Sequence, residues 1–164
     1  MSTSRQPRPL LNGLVAGVLS TLATDLSMLA LFTANGTPLG SFLRLIGSAA
    51  LTPFPASNLP LLPVALAVDY GIGIITGIGF TLAVCRIPRL RLSSWPRAVI
   101  TGLLFGEILG SVLYWIMAAL LQLPATEALP LFGTASFFHL VWGVTLGLCA
   151  HWLTRTPVSG KLGT

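Results

Sequence analysis

The sequence predicts an all-α membrane protein: a four-transmembrane-helix bundle, one membrane domain over residues 1–164. Three observations carry this expectation. Of 164 residues, 54% are hydrophobic and only 8% are Asp, Glu, Lys or Arg, whereas soluble domains carry about 25% charged residues. Mean hydropathy is +0.86, with 17 glycines and 12 prolines, and both residue types are more frequent in spanning helices than in soluble ones. The apolar residues fall in long continuous runs, without the roughly ten-residue alternating segments of a membrane β-barrel.

A helix crossing a ~30 Å hydrocarbon core needs roughly 20 mostly apolar residues. Four segments qualify, at about 11–33, 64–85, 98–121 and 132–153. Arg5 and Arg8 precede the first, as in a signal peptide, but its length, the internal Asp25 and the lack of an A-x-A site predict a retained helix. Pro38, Pro53, Pro55, Pro60 and Pro63 break the chain between the first two spans. Within this stretch Leu39–Leu51 predicts a short helix on the bundle's outer face or in the membrane interface, with a re-entrant or partner-docking segment as the alternative. Gln122 to Pro130 predicts a short second outer loop carrying Glu127.

Orientation follows from the basic residues. Eight of nine (Arg5, Arg8, Arg86, Arg89, Arg91, Arg97, Arg155 and Lys161) flank one side of the spans, and only Arg44 falls on the other. The positive-inside rule puts both termini and the 86–97 loop in the cytoplasm. Despite the pI near 10.3, no phosphate-binding face forms and no nucleic-acid partner is expected. Cys85 and Cys149 lie at the cytoplasmic helix ends without a C-x-x-C, so they read as reduced packing residues. A soft-metal site from Cys85, Cys149 and His151 is the weaker alternative; no metal and no cofactor is expected.

Small residues recur at four-residue spacing in every span: Gly13 and Gly17; Gly73 and Gly77; Gly102, Gly106 and Gly110; Gly143 and Gly147. Lipid gives helices no hydrophobic reason to meet, so close approach through small residues is a main adhesive. A shift of 70 residues lays Asp69, Gly73 and Gly77 on His139, Gly143 and Gly147, while the first and third spans align less well, with Gly17 on Gly102. This pattern predicts two helical hairpins related by parallel duplication, about an axis along the membrane normal.

The acids are the most informative feature. Three of four carboxylates (Asp25, Asp69 and Glu107) fall inside expected spans, together with His139. An ionised side chain at a helix centre costs about 2.5–3.5 kcal/mol on insertion scales, so these groups are expected to turn inward, pair, or take up protons. Asp25, Asp69 and His139 each lie eight residues outward of a span glycine, about 12 Å at 1.5 Å per residue, so they reach similar depths. Thr21 continues the Asp25 stripe, while Ser111 and Tyr114 continue the face of Glu107 as a polar strip. In one reading the set pins helix register; in the other it binds a proton, a cation or a small polar ligand, a mixed carboxylate and imidazole metal site being a sub-case. Trp95, Trp115, Trp142 and Trp152 read as interface anchors or packing, and His151 as solvated.

The pattern resembles the YagU-like family of bacterial inner-membrane proteins. The residues that carry the resemblance are Gly13–Gly17 in the first span, the polar opening of the second span at Asp69, and the basic loop Ile87-Pro88-Arg89-Leu90-Arg91-Leu92. A Gly-rich third span and the final His139-Leu140-Val141-Trp142 complete it, mainly over 64–155. Members tend to carry His where this chain has Asp69. The resemblance implies a four-span inner-membrane protein with an inward His139 and, for some members, a link to acid tolerance.

The expected function is therefore a proton-responsive or small-solute transport role at Asp69, His139, Asp25 and Glu107. The alternative is an accessory or assembly subunit with a structural polar cluster, so the partners expected are membrane lipids and either a second copy or a larger membrane complex. An enzyme is disfavoured, since the chain has no metalloprotease His-Glu-x-x-His and no other catalytic motif.

Overall fold

The computed structural model describes residues 8–36, 38, 40–53 and 59–155. Five helices follow one another: α1 (Pro9–Ala34), α2 (Ser41–Leu51), α3 (Leu61–Arg86), α4 (Trp95–Leu120) and α5 (Ala125–Thr154), with a 3-10 turn at Pro88–Leu90 between α3 and α4. No strand occurs among the described residues. The four longer helices, α1, α3, α4 and α5, are each long and apolar enough to cross a membrane. Arg5, Leu39, Pro55 and Lys161 lie outside the described residues.

Prolines begin these helices more than they interrupt them. Pro9 and Pro96 occupy the first turns of α1 and α4, and Pro60 and Pro124 precede α3 and α5. A first-turn proline lacks only an N–H that has no partner within the helix. Two expectations change for this reason. α3 starts at Leu61 and takes Pro63 into its first turn. α5 starts at Ala125 and carries Pro130 within it, so most of the expected 122–130 loop is helical. What remains is a tight reversal: Gln122 adopts φ 52°, its N–H bonds Ala119 O at 3.1 Å, and the Leu123 N–H bonds Ala118 O at 3.0 Å. Those paired bonds make a Schellman closure with Gln in the left-handed position that glycine usually fills.

Glycine dictates which helices approach most closely. On α1 and α3, a Cβ at Gly17 would overlap the Gly73 carbonyl, and one at Gly77 would stand 2.6 Å from the Gly17 Cα. On α4 and α5, a Cβ at Gly102 would overlap the Gly143 carbonyl, and one at Gly106 would stand 2.7 Å from the Gly143 Cα. Each pair is thus a backbone-to-backbone hairpin, and α1 packs against α5 to join them. α2 lies on α3 and reaches α4. The consecutive helices α3 and α4 share little backbone contact and meet instead through Phe80 and Phe105.

The ends of the bundle are tied differently. At the end where the described chain starts and stops, Asn12 Nδ2 donates to Leu153 O at 2.8 Å, and Arg97 donates to the Arg89 carbonyl. His151 was expected to be solvated; it is 2% exposed, and its Nδ1 meets Leu92 O at 2.6 Å. The segment between α3 and α4 folds back over α5 and removes the imidazole from water. Ala16, Phe80, Val84, Leu146 and Ala150 form the core at this end, and Tyr114, Ala118, Ala128 and Ala135 form a second core toward the α4–α5 turn.

Candidate functional site

Because α3 and α4 stand apart, a cavity of about 270 Å³ opens between them. Val68 and Ile72 of α3, Leu109, Leu113 and Met117 of α4, and Phe138 of α5 make most of its wall apolar. Ile46, Ala49 and Ala50 of α2 cover it on one side. Toward the other end stands an aromatic layer: the Phe80 and Phe105 ring centroids are 5.0 Å apart, and Phe105 stacks on Trp142 at 6.1 Å. Trp142 also lines the cavity, so this layer is its floor.

Two ionisable side chains line this wall, Asp69 from α3 and His139 from α5, joined by Thr21, Thr24 and Tyr114. They come from different hairpins. Each lies one turn beyond its hairpin's glycines, Asp69 beyond Gly73 and His139 beyond Gly143, so the glycine contacts set their depth. His139 lies directly on α4: a Cβ at Gly110 would overlap its ring. Gly110 is the space that lets the imidazole reach the cavity. Its Nδ1 is buried with no hydrogen-bond partner.

The other expected polar residues separate into two groups, one per hairpin. Asp25 and Asp69 are close enough across α1 and α3 to act on each other electrostatically, and the Tyr70 hydroxyl of α3 lies beside Asp25. Asp25 Oδ1 is buried and unpaired. On α4, Glu107 Oε1 accepts from Ser136 of α5 and from Ser111 at 3.4 Å, and Glu107 is the charged group that acts on His139. Glu107 Oε2 is buried without a partner. Asp25 and Glu107 stand behind the wall, outside the lining set that holds Asp69 and His139.

The polar strip expected from Glu107 through Ser111 to Tyr114 divides. Ser111 turns to Glu107, whereas the Tyr114 hydroxyl donates to Ala128 O at 2.5 Å and so ties α4 to the start of α5. Among the described residues no group of three His, Cys, Asp or Glu is placed to hold a metal. Sequence reasoning missed Ser136, Tyr70 and the place of Trp142 in the lining. Ser136 and Trp142 sit three residues either side of His139, the spacing of neighbours on one helix face, so that signal was present.

The arrangement offers an apolar chamber with one carboxyl and one imidazole on facing helix pairs, each supported from behind by a further carboxyl. Both groups exchange protons, and both bind cations or hydrogen-bond donors when deprotonated. No Lys or Arg lies within the four long helices beyond a first or last turn, so the acids have no built-in basic partner there. No family model, no curated protein and no solved structure matches this chain.

Proposed function

We propose that this multi-pass membrane protein binds a small solute in the cavity between α3 and α4, and that binding is linked to protonation of Asp69 and His139. One observation supports the reading above the rest: two ionisable residues from separate hairpins line one chamber that is otherwise mostly apolar. Ionisable groups within membrane helices are costly and characteristically mark ligand, ion or proton sites. A pure register pin would pair the two hairpins' groups directly, leaving no chamber between them.

In this reading the basic end faces the cytoplasm of a bacterial inner membrane, by the positive-inside rule and the resemblance to YagU-like proteins. Transport is then a second step beyond binding, because passage to the basic end has to cross the Phe80, Phe105 and Trp142 layer. Asp25 and Glu107 act from behind, tuning Asp69 and His139 through the field they create.

Trp142 is the natural reporter, one turn from His139 on the cavity side of α5. The test uses protein in lipid nanodiscs with Trp95→Phe, Trp115→Phe and Trp152→Phe, which leaves Trp142 as the sole indole. Its emission is titrated from about pH 5 to pH 8, the range in which imidazoles change charge. A sigmoidal change, abolished by His139→Gln and displaced by Asp69→Asn, is expected. Emission that stays flat in the parent, or that titrates identically in both variants, would overturn the proposal.

A further inference from the structure

We propose that the solute is a lipophilic monocation taken from the bilayer: a single apolar chain with a protonated amine, which enters between α3 and α4 and sets its head at Asp69. This inference rests on the cavity being a solute site and adds the chemical class and the route.

The route follows from which surfaces bound the chamber. α2 covers it on one side and the aromatic layer floors it. On the α4 side, two lining residues also stand on the outside of the bundle: Ile116 is 52% exposed and Leu120 is 42% exposed. The wall is therefore continuous with the apolar surface that faces lipid, and above the Phe80–Phe105 contact the lateral side is where the α3 and α4 backbones stand apart. A ligand already dissolved in the acyl chains needs no aqueous path to reach it.

Size and charge narrow the class. About 270 Å³ is just under the roughly 300–1,000 Å³ typical of small-molecule sites, which suits a head and the first part of one chain whose remainder lies in the bilayer, and favours a single chain over two. The head faces an acidic surplus. Asp69 has Asp25 at its back, His139 has Glu107 at its back, and no Lys or Arg accompanies them within the long helices beyond a terminal turn. An ammonium there meets opposite charge in a medium of low dielectric, where such pairing is strongest. A fatty-acid carboxylate would meet like charge, and a neutral head would leave the surplus unbalanced.

The test keeps the single-Trp142 protein in nanodiscs and uses bromine, a short-range quencher of indole. Three probes are compared: a long-chain primary alkylamine brominated a few carbons from its amine, the fatty acid of the same length brominated at the same positions, and a dibrominated phosphatidylcholine. The expected result is saturable quenching by the amine, reversed by its unbrominated form. The other two probes should give only the linear quenching of a bulk lipid contact. Asp69→Asn should weaken amine affinity about tenfold or more, the loss expected for removing a charged partner worth about 1.4 kcal/mol. Leu113→Trp, with quenching then read in the protein carrying both indoles against its own unbrominated control, should block saturation by filling the chamber. Equal quenching by amine and fatty acid, or amine quenching that never saturates, overturns the cationic assignment. If the pH response of Trp142 persists while that happens, the protonatable cavity stands and only the ligand class falls; if the pH response is also absent, the cavity reading falls with it.

Discussion

The two hairpins, α1 with α3 and α4 with α5, share a glycine ladder but carry different chemistry above it. Gly17 meets Gly73 and Gly77 in the first, and Gly102 meets Gly143 and Gly147 in the second. One turn farther out they diverge. The first hairpin opposes two carboxyls, Asp25 and Asp69; the second opposes a bare glycine, Gly110, to the ring of His139. Backbone packing is thus what the two hairpins share, and the polar layer is where they differ. The lesson is physical: a helix pair held by van der Waals contact tolerates no added carbon at the contact, while the next turn is free to vary.

The largest effects come from breaking the shared ladder. Gly17→Val and Gly102→Val each force a side chain into a facing backbone carbonyl, and overpacking costs about 1–3 kcal/mol or more. Both should lower thermal stability in detergent by similar amounts, whereas Gly79→Ala and Gly133→Ala, with open space around the new carbon, should leave the melting temperature near its parent value. Unequal losses for the two ladder variants would show that the two hairpin contacts are not energetically equivalent.

Gly110→Ala sharpens the contrast in the polar layer. The new methyl displaces the His139 ring rather than a backbone, so a smaller loss, about 1 kcal/mol, is expected by analogy with mild overpacking. The same change should erase the pH response of Trp142. The matching change on the other hairpin, Asp25→Ala, should leave that response in place. Tyr114→Phe removes a buried hydroxyl bond to Ala128 O, which exists only in the second hairpin, at a cost of about 0.5–1.5 kcal/mol in chemical or thermal unfolding. Smallest, and opposite in sign, is Gln122→Gly: it relieves a left-handed conformation that disfavours L-residues by roughly 1–2 kcal/mol, and a gain of about 0.5 kcal/mol in unfolding free energy is expected once the freer unfolded chain is counted.

Much of this fold was legible in the residues. Four apolar runs mark the four long helices, the 39–51 segment contains α2, and the glycine spacings identify the faces that touch. Each of these is a local pattern, set by helix period and by the hydrocarbon's demand for apolar side chains. What escaped was nonlocal or depended on position within a turn. Pro63 and Pro130 read as stops because a proline's cost depends on where it falls relative to a helix start. His151 read as solvated because its acceptor, Leu92 O, belongs to a segment far away in the chain. The separation of α3 from α4 was hidden for a similar reason: a short connection suggests neighbours, while the glycines assign α3 to α1 and α4 to α5. For the candidate site, the intramembrane acids and His139 stood out by their cost in lipid, but their division into a lining pair and a rear pair depends on side-chain placement that spacing does not encode.

The burial of His151 under the α3–α4 connection has a mechanical corollary. With Leu92 clasped to α5 and Arg97 clasped to Arg89, the α3–α4 connection is pinned at one extremity, while toward the opposite one Phe32 of α1 meets Phe138 of α5 and α2 bridges α3 to α4. α3 and α4 thus resemble the two arms of a clothes-peg, joined at the arginine-rich end by their own connection and spanned near the tips by α2.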